Sequence, residues 1–474
     1  MADRFKGLYG VMPPSPFYTR ALLTLILLGL VVFSFNPFLD RNDLLPLYDS
    51  KRLFVLFLLQ ITALIVLFST QQRQRIIDHW YSLTLLHRGL LSLFIASSLL
   101  ATWLARYPLA AVLQWFYLAG LVLMLLVLRD VVKKQQARWF EYSLWLSVFL
   151  FLSIALAFWI RIVHQLNVNN FTLFGFTNPR FLNQIHIWLI FPVVYLAALA
   201  MKRGKHGVVP RAILAIDFAI CFATDARGPL VAILGGFTLL MLCARDLRSI
   251  WWKLLWQSVV AGALVKLALL SPLPSMIFGG PIEWLNIRTD SPGRLALWRH
   301  SWQIFTFTGL GGDAFVCEEV NHGRPHNSLL NVLVHWGVVA ALCYLALIAS
   351  LLRLTIRQRS LRTKLLGVSL LSGIAYSLVS GVLDSPLSQL MAVVACALFW
   401  SRCSLASASL PLPANKPGPW WAHSVILIVA IGCSVSAGYR TLERLDNYPV
   451  YRSEVIIKTQ FWLGYNCLAK PWQP

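Results

Sequence analysis

The chain has 474 residues, 58% of them hydrophobic and only 13% charged, and its 41 Lys and Arg against 19 Asp and Glu give a formal net charge of +22. An ordinary soluble domain carries about a quarter of its residues as charges, so that class is excluded. Without interleaved aromatic RNA-type motifs, the basic excess does not point to nucleic acid.

Apolar runs near the ~20 residues that span a bilayer core recur along the whole chain. In order they fall at 20–36, 53–70, 89–104, 108–128, 141–160, 183–201, 211–224, 229–244, 254–270, 327–352, 365–383, 386–401 and 422–439. The pattern predicts an all-α polytopic membrane protein with about 12–13 transmembrane helices. The first run lacks a small-residue cleavage pattern and is expected to stay as an anchor. No internal repeat is visible, so 1–440 is expected to be one transmembrane domain, followed by a short tail, 441–474.

The charges orient these spans. With the N-terminus in the cytoplasm, every second loop is basic: Arg73 and Arg75, then Arg129, Lys133, Lys134 and Arg138, then Lys202, Arg203 and Lys205, then Arg245, Arg248 and Lys253, and finally Arg353, Arg357, Arg359, Arg362 and Lys364. That is the positive-inside pattern. It leaves Arg180, Arg227, Arg288, Arg294, Arg299 and Arg324 on the outer side, where topology does not require them. Arg440, Arg444, Arg452, Lys458 and Lys470 near the C-terminus are expected to meet lipid headgroups.

Two outer loops stand out. In 161–182, Gly175 and Asn178-Pro179 are turn residues that deliver Arg180 just before a span. The segment 271–325 is the one long hydrophilic excursion. Within it Leu295, Trp298, Trp302 and Phe305 recur at three- and four-residue spacing, predicting an amphipathic helix over 293–306 on the membrane face. Gly309, Gly311 and Gly312 are expected to form a flexible turn after it. Cys317 and Cys467 both fall on the outer side, where a disulfide can persist.

Between the runs 211–224 and 229–244 there is almost no loop. Arg227 is therefore expected at the interface, with Gly228 allowing close backbone approach and Pro229 in the first turn of the next helix; pairing with Asp225 is the plainer alternative. The guanidinium fork suits phosphate, so Arg227, Arg294 and Arg180 are candidate diphosphate ligands. His326, flanked by Pro325 and Asn327 at the mouth of a span, is the candidate general base. Asp225, Asp313, Glu318 and Glu319 are weaker candidates. Metal-ligand motifs and a Walker loop are missing from the sequence, and neither a metal nor another cofactor is expected.

Four elements together resemble the O-antigen ligase and polymerase superfamily: Ala226-Arg227-Gly228, Arg294…Trp298, Gly309-Leu310-Gly311-Gly312 and His326-Asn327-Ser328-Leu329-Leu330. The segment Gly175-Phe-Thr-Asn-Pro-Arg-Phe181 resembles a further element of that family, and the likeness spans about 165–345. Ala226 stands where serine is commoner, and Ser328 where an aromatic residue or aspartate often stands. The resemblance implies a metal-independent inverting glycosyltransferase of the C type. It would sit in the bacterial inner membrane with its site at the periplasmic face of the 271–325 loop. The donor it implies is a glycan on undecaprenyl diphosphate, moved en bloc, with Arg227, Arg294 and His326 as catalytic residues. Arg180, Asn178, Asn327, Trp298, Arg288 and Arg324 are expected to contact substrate. The acceptor stays open: lipid A-core for a ligase, a pilin Ser or Thr for an oligosaccharyltransferase, or a growing glycan for a polymerase. A transporter or flippase without covalent chemistry is the competing class, disfavoured because charge collects at the outer face while the spans carry only Asp217 and Lys266.

Overall fold

The computed structural model describes residues 17–36, 44–168, 173–225, 227–284, 293–318, 324–403, 418–446 and Cys467, with backbone alone for 44–49 and 133–137. Among these residues every regular element is a helix. In chain order they are α1 (Phe17–Ser34), α2 (Leu44–Phe68), the polar α3 (Thr70–Tyr81), α4 (Leu85–Trp103) and α5 (Pro108–Val163). A bent pair follows, α6 (Pro179–His186) and α7 (Ile190–Lys202), at 46° to each other. Then come α8 (Val208–Ala223), α9 (Arg227–Cys243), α10 (Arg248–Leu269), and three short helices, α11 (Leu273–Phe278), α12 (Arg294–Ile304) and α13 (Ala314–Glu318). The last are α14 (Ser328–Arg357), α15 (Leu361–Ser377), α16 (Pro386–Arg402) and α17 (Trp420–Asp446).

Each apolar run found in the sequence coincides with a helical stretch, but fewer than thirteen have full crossing length. Among the described residues eight are long and apolar enough, or nine if the bent α6–α7 pair is one span; α5 supplies two of the eight, 108–132 and 138–163. The helices α8, α9, α15 and α16 have 16 or 17 residues. At 1.5 Å per residue that is about 24–26 Å, short of a hydrocarbon core of ~30 Å. Three of these four apolar runs end within a residue of their helix, whereas the run 365–383 leaves α15 at Ser377.

This is the architecture of a polytopic membrane protein, with large side chains exposed around its girth and a continuous apolar interior. Small residues set the closest approaches. A Cβ on Gly262 of α10 would lie 2.5 Å from the Phe218 Cβ and 2.8 Å from the Ala215 carbonyl of α8. Helices in lipid gain attraction from such backbone proximity rather than from hydrophobic exclusion.

The described parts of the 271–325 segment are packed against the bundle. The amphipathic helix is present as α12, but turned: Leu297 and Ser301 are buried, while Leu295 and Trp302 face outward. The glycine turn after it is a built interface. α14 breaks at Gly337 (φ 80, ψ −178). The backbone groups freed there pair with the turn, Leu310 N to Val334 O at 2.9 Å, Gly311 N to His335 O at 3.0 Å and Val338 N to Phe307 O at 3.0 Å. A Cβ on Gly309 would come within 2.6 Å of both Gly337 N and His335 O. Unpaired backbone groups are costly away from water, so the two breaks satisfy one another.

Candidate functional site

Several chain segments deliver polar side chains to one end of the bundle, and each has a local reason to be where it is. Asn178 is extended and caps α6, its side-chain oxygen accepting from the Arg180 amide at 2.9 Å. Asn327 caps α14 likewise, accepting from the Leu329 and Leu330 amides at 3.0 and 3.1 Å. Both asparagines thus serve as helix caps beside Arg180 and His326. Trp298 is also a support: its indole N–H donates to the Pro325 carbonyl at 3.0 Å. His326 itself is left-handed, at φ 53. That conformation is uncommon for any residue but glycine and is often retained at functional positions.

Arg180, Arg294 and Arg324 all act electrostatically on His326, and Arg180 and Arg227 act on Arg294. The expected cluster is therefore assembled from α6, α9, α12 and the 324–327 segment. Burial chiefly lowers the His326 pKa to about 4; the three arginines push the same way and Asp384 opposes them. The imidazole is thus neutral at pH 7 and able to accept a proton. Burial, then Arg180, also lower Arg294 from its ordinary value.

Arg324 is not a free anion ligand. Its two terminal nitrogens donate to Asp384 Oδ1 at 3.0 Å and Asp313 Oδ1 at 2.9 Å. Arg440, fully buried on α17, lies 3.6 Å from Asp313 Oδ2. Arg444 is buried too. Neither is the headgroup contact expected of it, because each points into the bundle. By contrast, Arg180, Arg227 and Arg294 make no carboxylate ion pair among the described residues. Asp225, the expected alternative partner of Arg227, acts instead on Glu283 and Lys266.

Arg227 and Arg294 share the lining of a cleft of about 730 Å³. The rest of its wall is almost wholly apolar, from Val231 and Leu239 on α9, Leu329, Leu345 and Leu352 on α14, Leu371 on α15 and Leu378 just after it. Gly228 lies against the Tyr376 ring, where a Cβ would come within 2.5 Å, so the expected close approach is real. Arg288, Ala226, Glu319 and the tail residues Arg452, Lys458 and Lys470 lie outside the described residues.

Sequence reasoning missed Asp384. Its Oδ2 and His326 Nδ1 both face Gly381, where an added Cβ would sit 3.4 and 3.3 Å from them. Asn331 also donates to Asp384, at 3.3 Å. The signal was an acid in the tight outer junction between the runs 365–383 and 386–401. Also missed was His186, whose Nε2 lies 3.1 Å from Asp217 Oδ1, both fully buried, so the charge noted within the spans has a partner. The Cys317–Cys467 disulfide is formed, with a Cα–Cα distance of 5.5 Å. Among the described residues no group of three or more His, Cys, Asp and Glu is placed to hold a metal ion. No protein-family model, no curated protein and no solved structure matches this chain.

Proposed function

We propose that this protein is a membrane glycosyltransferase that moves a glycan from a polyprenyl diphosphate, undecaprenyl diphosphate in bacteria, to an acceptor hydroxyl at the outer face of the inner membrane. The observation that carries this reading is the joining of two chemistries in one cleft. Its wall is apolar along three helices, which suits an isoprenoid chain, and its polar lining includes Arg227 and Arg294, which suit a diphosphate. Arg180 adds a third cation beside Arg294. Hydrogen bonds and charge aimed at the departing diphosphate lower the barrier most where water is excluded.

His326 is the group that takes the proton. The acceptor oxygen attacks the anomeric carbon, the bond to the diphosphate oxygen breaks, and the hydroxyl proton passes to the imidazole. The diphosphate leaves with the bonding pair, held by the arginines. Asp384 stabilises the imidazolium that forms. Two of the arginines that suppress the basicity of His326, Arg180 and Arg294, are among the groups a diphosphate would neutralise. Donor binding therefore raises the pKa of the base when it is needed.

The acceptor is lipid A-core or a pilin side chain, as the resemblance implies. The test is transfer from purified undecaprenyl-diphosphate-linked glycan, with lipid A-core and pilin offered in parallel to wild type and His326→Ala. A product on either acceptor that disappears in the variant supports the reading and names the acceptor. An intact donor with both acceptors unmodified overturns ligation and favours polymerisation or lipid flipping.

A further inference from the structure

The turn 311–318 carries a disulfide and a buried carboxylate that the proposed chemistry does not use. Cys317 on α13 is bonded to Cys467, 150 residues later. The same helix is anchored by Glu318, which accepts from Arg106 at 2.7 Å and from the Tyr107 hydroxyl at 3.0 Å. Ala314 and Cys317 pack with Cys467 against Tyr107 and Ala110. A helix of five residues does not hold itself together; these anchors fix it.

Asp313 stands four residues before the disulfide, left-handed at φ 58 and 1% exposed. It takes Arg324 on one oxygen, and Arg440 approaches the other. The remaining terminal nitrogen of Arg324 reaches Asp384, which faces His326 across Gly381. A continuous path of alternating charge therefore runs from the disulfide-bonded turn to the imidazole. Along it, each buried charge is held by the next, and an unpaired one would be costly.

We propose that Asp313 is a positioning residue for His326, acting through Arg324 and Asp384, and that the Cys317–Cys467 bond keeps it in place. The inference rests on the proposed transferase reading only for its kinetic readout. Oxidation of the cysteine pair holds α13 closed, Asp313 then orients Arg324, and Arg324 fixes the Asp384 carboxylate beside the imidazole. Loosening the turn admits water to His326. Burial is the main cause of its low basicity, so its titration then moves up toward that of an ordinary histidine. The charged groups acting on it are Arg180 from α6, Arg294 from α12, neighbouring Arg324 and Asp384 before α16; Arg324 and Asp384 act in opposite directions, so their joint displacement leaves regained solvation to set the sign.

The test uses the full chain in lipid nanodiscs. Reaction of His326 with diethyl pyrocarbonate is followed by peptide mass spectrometry across pH, which needs no substrate. Asp313→Asn is expected to speed this reaction about tenfold at pH 7 and to raise its pH midpoint, with kcat falling about tenfold and the donor KM nearly unchanged. Asp313→Glu should recover part of both. Cys317→Ser/Cys467→Ser should move the same readouts by about threefold, a fraction of a tenfold step. A reductant should reproduce that change in wild type and add nothing in the double variant. An unchanged His326 profile in Asp313→Asn, the double variant and reduced wild type overturns the proposal. A wild type that modifies as described but transfers no glycan overturns the transferase reading alone.

Discussion

Two sets of arginines meet at the same end of this bundle, and they differ in what faces them. Arg324 and Arg440 are buried against carboxylates, with Asp313 between them and Asp384 beyond. Arg227 and Arg294 line a cleft that is otherwise apolar, and no carboxylate pairs with them among the described residues. Identical side chains thus do opposite work. A guanidinium whose charge is answered inside the protein holds structure together, whereas one without a carboxylate beside an apolar cleft is what the proposed diphosphate site requires.

The contrast can be broken most directly by deletion on each side. Arg227→Ala and Arg294→Ala should each lower transfer by about 10²–10³-fold, the usual loss when one group stabilising developing charge is removed, with membrane insertion and melting temperature unchanged. Arg324→Ala should instead destabilise the protein by about 3–5 kcal/mol, because it strands two carboxylates, and thermal unfolding in detergent would show it. Equal loss of folded protein in all three variants would erase the distinction.

A subtler substitution sharpens it. Arg294→Lys keeps the charge but not the fork, so transfer should still fall by about tenfold or more where bidentate binding matters. Full activity would mean that charge alone suffices. The pH dependence gives a third test. The acid limb of kcat/KM reports the free enzyme and should lie near pH 4, the value to which burial holds His326. The acid limb of kcat reports the donor complex and should lie higher, since the diphosphate offsets Arg180 and Arg294, two of the charges that lower this pKa. Coincident limbs would argue that the arginines and the histidine serve different ligands. The smallest effect is expected at Gly381→Ala, whose methyl would press on His326 Nδ1 and Asp384 Oδ2. A loss of a few-fold in kcat, on the order of 0.5–1 kcal/mol, would mark that contact as part of the reaction.

The sequence made the helices and the arginine cluster visible, for physical reasons that can be named. Only helices and closed barrels satisfy the backbone in lipid, and continuous apolar runs of this length suit helices rather than short alternating strands. Arg180, Arg227 and His326 were found because each begins or precedes an apolar run, where a charge is expensive and conspicuous, and Arg294 because it opens the amphipathic stretch of the one long hydrophilic segment. Partnerships were not legible. Nothing in the order of residues tells that Arg324 closes on Asp313 and Asp384, 11 and 60 residues away, or that Arg440 turns inward to join them. Asn178 and Asn327 look like polar site residues in a list of letters, and only backbone geometry reveals them as caps. The glycines at 309–312 suggested freedom, yet Gly309 is fixed by the break in α14 at Gly337. For the arginines and the glycine turn the missing information was the long-range partner; for the asparagines it was the local backbone geometry.

The central claim is that Arg227 and Arg294 hold a lipid-linked diphosphate in the cleft they share. Binding of undecaprenyl diphosphate to the purified protein in nanodiscs, measured for wild type, Arg227→Ala/Arg294→Ala and His326→Ala, tests it most directly. The account predicts saturable binding by wild type and His326→Ala, weakened about a hundredfold or more in the double arginine variant, or roughly 3 kcal/mol. Equal affinity in all three proteins would contradict it.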